Sequence, residues 1–251
     1  MRISYTNLID AGSAPTCLTT DLLYPAANIQ NGRLSKRWRS TSPTAQTIVF
    51  NLGSAMTVDT VAVLGHNLES SAAITIEAHT SDSWATPALS AISLTYNADT
   101  ILQYWGSAAV FQYWRFTLDD ATNSDGYVEA GRLWLGEYLD IDPSSTLAFT
   151  VTKQRSDTVA YGRDRQKYST EGVGWREFNM SFPRTAGTAL TSIQTMYDAV
   201  GNHGSLIFSN FDSLRTYPLV EPCYVSIVGE ISFRHTRYMK FEYGLTLTED
   251  R

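Results

Sequence analysis

The chain has 251 residues, a formal net charge of −6, and 43% hydrophobic against 18% charged residues. That mixture can bury a sizeable core as one large or two ordinary domains, and it excludes a disordered or fibrous chain. No apolar run reaches the ~18 residues that span a bilayer, and Met1-Arg-Ile-Ser-Tyr-Thr-Asn7 lacks the apolar core of a secretory signal, so no membrane insertion and retention in the cytosol until assembly are expected.

Aromatics are abundant (6 Trp, 14 Tyr, 10 Phe) and, with Val, Ile and Thr, predict a mainly β protein. Thr47–Leu68 reads as two alternating strands, 47–52 and 57–64, joined by a turn at Leu52-Gly53: Ile48, Phe50 and Leu52 share one face, and Val58, Val61 and Val63 restart the apolar run. Further strands are predicted at 72–79, 90–95, 101–105, 111–118 and 127–136, at sandwich-like spacing and with no helical periodicity between them. A boundary is expected near Asp140-Ile-Asp-Pro-Ser-Ser145, dividing the chain into domains 1–140 and 141–251. The second domain reads as strands 146–153, 174–182, 204–209, 223–232 and 237–248. One amphipathic helix over 188–200 interrupts them, with Leu190, Ile193, Tyr197 and Val200 on one face and Gly201 as its stop. In the last strand Met239, Phe241, Tyr243, Leu245 and Leu247 alternate with polar residues.

Charge is split unevenly. Residues 1–140 hold 7 Lys+Arg against 13 Asp+Glu, and the remainder is balanced. A nucleic-acid surface needs clustered cations, and the one basic cluster of the first half, Arg33–Arg39, reads as a solvated loop. Cys17 and Cys223 are too far apart in sequence for a disulfide scaffold or metal knuckle and read as buried thiols. His66, His79, His203 and His235 have no second ligand at metal spacing, no nucleophile motif accompanies them, and phosphate-cradling glycine loops are absent. The acid pairs Asp119-Asp120 and Asp140-x-Asp142 sit at strand ends, where solvated carboxylates are common. No catalytic residue, metal or cofactor is expected.

The polar connection 153–173 exceeds the ~12–15 residues that compact domains normally leave without a function. It reads as a hairpin arm whose Arg155, Arg163, Arg165 and Lys167, interleaved with Tyr161 and Tyr168, have the composition of a subunit contact. The alternative is a solvated loop.

Several segments carry resemblances. Ala27-Asn-Ile-Gln30 with Trp38-Arg-Ser40, Ile48–Gly53, Val58–Val63, Tyr113–Leu118 and Glu129–Gly136 together resemble the discoidin-like (galactose-binding-like) jelly roll. The turn Thr80-Ser-Asp-Ser-Trp84 departs from that family's pattern by lacking its glycine, and no calcium-ligand loop is evident. The second half is similar in its order of elements to ring-forming domains of tailed-phage tail-tip proteins. Those elements are a strand, a long arm, Gly174–Phe182, one helix, Gly204–Ser209 and two final strands. The implied fold is a discoidin-like β-sandwich followed by a β-sandwich or split barrel with one flanking helix.

The resemblance to tail proteins implies a non-enzymatic virion component, assembled in the host cytoplasm as a hexameric or trimeric ring and joining the tail tube to host-recognition proteins, hubs or fibres. The alternative implied by the jelly roll is a module that binds host surface glycans with loops at one end. Candidates there are Asn28, Arg37, Trp38 and Arg39, then His66 and Asn67, then Trp84 and Trp105. Trp38 fits a core position as well, as do Trp114 and Trp134.

Overall fold

The computed structural model describes residues 1–141, 148–209, 222–238 and 240–250. Asp142, the rest of the expected boundary segment to Ser145, the first residues of the strand expected at 146–153, and Met239 lie outside the described residues. The protein is mainly β, built from antiparallel sheets with one α-helix among the described residues, and it has two lobes.

In the first lobe six strands pair in one sheet. Thr16–Cys17, Gln46–Leu64, Thr100–Asp119, Ala73–His79 and Leu89–Ser93 follow one another across it, and Arg132–Gly136 joins at Gln46–Leu64. The turn expected at Leu52-Gly53 is not a hairpin. Gln46–Leu64 is a single 19-residue strand whose register shifts between Asn51 and Met56, and its partner Thr100–Asp119, expected as two strands, runs unbroken beside it. Gly53 takes φ +81°, and its N–H donates to Asn51 Oδ1 at 2.9 Å, so the positive φ serves a bend within the strand. Beyond the bend, Val61–Leu64 pairs with Thr100–Gln103 on one side and with Arg132–Leu135 on the other. Ile48, Phe50, Val61, Val63, Trp114, Phe116 and Leu118 enclose one core, with Phe50 and Phe116 edge to face at 5.9 Å. Each such side chain contributes roughly 1.5–3 kcal/mol on burial.

The strand expected at 127–136 is interrupted at Gly131. A Cβ there would lie 2.5 Å from the Leu34 carbonyl oxygen, so only glycine admits the 33–36 loop against the strand.

The second lobe is an eight-stranded sheet in the order Leu139–Asp140, Arg2–Ser4, Ser205–Ser209, Cys223–Ile227, Lys240–Glu249, Gly174–Ala186 and Ala148–Arg155, with Arg234–Arg237 beside Lys240–Glu249. Short strands from both ends of residues 1–140 thus enter this sheet. Arg2–Ser4 pairs with Ser205–Ser209 on one side and Leu139–Asp140 on the other, because buried Ile3 completes the second core. The helix runs Gly187–Val200 and buries Leu190, Ile193, Met196 and Val200 against that sheet, with Tyr197 partly buried. Gly201 closes it, donating its N–H to Tyr197 O at 2.7 Å.

The lobes meet in a third apolar cluster of Ala62, Leu64 and Trp134 from the first and Ile207 and Tyr224 from the second. Cys17 and Cys223 form no disulfide: Cys223 is buried, and burial pushes the thiol of half-buried Cys17 up to about 12. Among the described residues no helix is long and apolar enough to cross a membrane.

Candidate functional site: the Glu129 end of the first lobe

The segment Arg37-Trp-Arg39 explains the site's geometry. Trp38–Arg39 pairs with Glu129–Ala130, and strand alternation sends Trp38 inward and its two arginine neighbours outward. Trp38 is 0% exposed and its Nε1 donates to Thr20 Oγ1 at 3.2 Å. It is a core residue and is removed from the candidate ligand contacts. Arg37 and Arg39 converge on Glu129, whose side chain is buried. Arg37 Nη1 meets Oε1, and Arg39 donates to Oε2 through Nη2 at 3.0 Å and Nε at 3.2 Å. A buried carboxylate is tolerated when it is paired in this way. The Arg39 guanidinium lies 4.0 Å from the ring centroids of both Tyr24 and Tyr127.

Asn28 and Asn67 tie the surrounding loops. Asn28 Nδ2 donates to Arg37 O at 2.8 Å. Asn67 Nδ2 donates to Tyr127 O and Asp125 Oδ2, both at 3.0 Å, while its Oδ1 accepts the Glu129 N–H at 2.8 Å. His66 Nδ1 accepts the Leu68 N–H at 3.2 Å, which leaves Nε2 to donate to Asn97 O at 3.1 Å. Burial holds its pKa below the usual histidine value, with Arg37 pushing the same way against Asn97 and Asp99.

Two predicted residues stand apart from this cluster. Trp84 covers Arg115 at 4.6 Å and donates to Asp82 Oδ1 at 2.7 Å, and Arg115 in turn pairs with Glu77. Trp105 packs on Trp114 with centroids 6.1 Å apart. Sequence reasoning missed Glu129, Tyr24, Tyr127 and Asp125. The usable signal was Glu129 itself, the one acid in the strand expected at 127–136. The same end of the lobe projects Leu22, 97% exposed, and Leu23.

Chemically the cluster offers fixed donors, acceptors and tyrosine rings. Arg37 is partly exposed, with N–H groups beyond its bond to Glu129. Asp120, read as one of a pair of strand-end acids, is buried, and its Oδ2 accepts from Glu69 N and Asn123 Nδ2, each at 2.8 Å, which clasps two loops. No group of three or more His, Cys, Asp or Glu able to hold a metal occurs among the described residues.

The 153–173 segment is a second exposed feature. Thr158–Tyr161 and Lys167–Thr170 form a two-stranded hairpin whose eight strand residues are all exposed, with Arg165 at φ 63° in its turn. Tyr161 is 69% exposed, and Tyr168, Val159 and Val173 also face solvent. Arg155 is used internally, at the arm's base, by Asp157 and Glu171.

No family model and no curated protein matches the chain. Among solved structures it is similar to a family 32 carbohydrate-binding module of Clostridium perfringens NanJ in complex with galactose, at 15% identity and TM-score 0.43, over 55% of this chain and 100% of that one. It is also similar to chitosan-binding module 1 of a Paenibacillus sp. IK-5 chitosanase/glucanase, at 19% identity and TM-score 0.42, over 53% and 99% of the two chains. A Ruminococcus gnavus GH29 fucosidase in complex with fucose matches at 16% identity and TM-score 0.45, over 54% of this chain and 27% of its own.

Proposed function

We propose that this chain is a non-catalytic carbohydrate-binding protein whose first lobe holds a glycan at the Glu129 end. The observation that carries the reading is the pair Arg37 and Arg39 locked on one buried carboxylate, with Arg39 against the rings of Tyr24 and Tyr127. Sugars are recognised by fixed polar groups beside aromatic faces. Arginines already held by Glu129 lose little further freedom on binding. Asn67 and Asp125 supply further polar groups on the facing loop. The test is retention on a glycan array: the unchanged protein is retained, and Arg37→Ala and Tyr24→Ala are not. Equal retention of both variants would contradict the placement.

A second reading, compatible with the first, is assembly into a ring in a phage tail, with the glycan-binding lobe displayed outward toward the host. What favours it is the arm. A lone two-stranded hairpin is marginal in water, and this one exposes Val159, Tyr161 and Tyr168 beside the basic Arg163, Arg165 and Lys167. Arms of this kind make head-to-tail contacts that close when the rotation per subunit fits. Light scattering tests it: a discrete trimer or hexamer supports the ring, and a monomer at high concentration contradicts self-assembly.

A further inference from the structure

We infer that the cleft between the two lobes binds a small hydroxylated carboxylate, whose carboxylate takes the place of Asp10 on Arg132. The inference is independent of the Glu129 site. The cleft encloses about 830 Å³, a size typical of small-molecule sites, and it lies between two packed units, where such sites concentrate. Asp10, Arg33 and Arg132 stand on its first-lobe wall, and His203, Ser205 and Asp250 on the other.

Arg132 is only 5% exposed. Its Nη2 donates to Asp10, and its guanidinium lies 5.6 and 5.9 Å from the ring centroids of Trp134 and Tyr224. Its Nε and Nη1 are buried and have no hydrogen-bond partner among the described residues. A buried guanidinium ordinarily fills its donors, because each unmet N–H leaves desolvation uncompensated. Asp10 is a weak incumbent. Its side chain is 40% exposed, and burial holds its pKa above the usual aspartate value despite the opposing pull of Arg132.

Nη2, which Asp10 occupies, and the unmet Nε share one edge of the planar guanidinium, so a carboxylate that displaces the Asp10 side chain can accept from both. Exchange of one carboxylate for another keeps the charge of Arg132 neutralised. Across the cleft, the Ser205 and Ser226 hydroxyls donate to Asp250 Oδ2 at 2.8 and 2.5 Å, which fixes that carboxylate as an acceptor for ligand hydroxyls. Carboxylate and hydroxyls in one small molecule satisfy both walls.

Calorimetric titration of the full chain with glucuronate, with glucose as its neutral counterpart, tests the inference. Glucuronate binds more tightly than glucose, Arg132→Lys weakens it by about tenfold or more, and Asp10→Asn, which removes the competing carboxylate, strengthens it. Thermal denaturation supplies an independent readout: glucuronate raises the melting temperature of Asp10→Asn more than that of the unchanged protein. The inference is overturned if glucuronate binds neither the unchanged protein nor folded Asp10→Asn. It is equally overturned if glucose matches its binding and neither substitution alters it.

Discussion

Trp134 and Tyr224 meet edge to face across the seam between the lobes, with ring centroids 6.3 Å apart. Tyr224 also donates its hydroxyl to Gly32 O at 3.2 Å, so one side chain supplies both apolar contact and a hydrogen bond to the other lobe. Removing the ring leaves a cavity among Ala62, Leu64 and Ile207. Tyr224→Ala is expected to destabilise by about 3–5 kcal/mol and Tyr224→Phe by about 1 kcal/mol, read from urea midpoints. Equal small losses would mean that the seam contributes little.

The N-terminal strand gives a sharper test of how the lobes depend on each other. Ile3 is fully buried in the second core, and Arg2–Ser4 pairs on both sides. Residues 141–251 expressed alone should fail to fold cooperatively, since their sheet then lacks two strands and an apolar plug. In the full chain Ile3→Ala should cost about 2–5 kcal/mol. A stable, well-dispersed fragment would refute this interdependence.

That strand also marks where sequence reading reached its limit. Alternation made the face of Ile48 and Phe50, and the helix face of Leu190 and Ile193, legible because these are local patterns. Arg2–Ser4 is three residues long, and its membership in the second sheet depends on a partner near residue 207. Gly53 carried the signature of a hairpin, yet whether a positive-φ glycine turns or bends a strand is decided by the partner strand. The candidate site was half legible. The arginines around Trp38 were visible, but Glu129, which gathers them, sat as the one acid in the strand expected at 127–136. The segment 153–173 was legible as a hairpin arm from its length and composition, whereas the register of Tyr161 with Lys167 was not, because no strong apolar alternation marks its strands.

His66 predicts a pH dependence. Its folded pKa lies below the unfolded value of 6.5, so the unfolded chain takes up the proton more readily. Its contribution is complete above about 6.5 and is lost as the pH falls through that value toward the folded pKa. Stability measured by urea between pH 7.5 and 5 should fall less steeply in His66→Asn than in the unchanged protein; parallel curves would remove His66 as a source.

The arm predicts a separation of stability from assembly. Tyr161 and Tyr168 make no core contact, so Tyr161→Ser with Tyr168→Ser should shift stability by no more than about 0.5 kcal/mol each while dissolving any oligomer on a sizing column. Loss of stability with unchanged assembly would reverse the assignment.

Glycan recognition at the Glu129 end is tested most directly by amide chemical-shift mapping with a panel of neutral oligosaccharides. Shifts should be confined to residues near Tyr24, Arg37–Arg39, Asn67 and Asp125–Glu129, and should vanish in Arg37→Ala. Absence of any shift across the panel in the folded protein, or shifts centred on Trp84 and Trp105, would contradict the account.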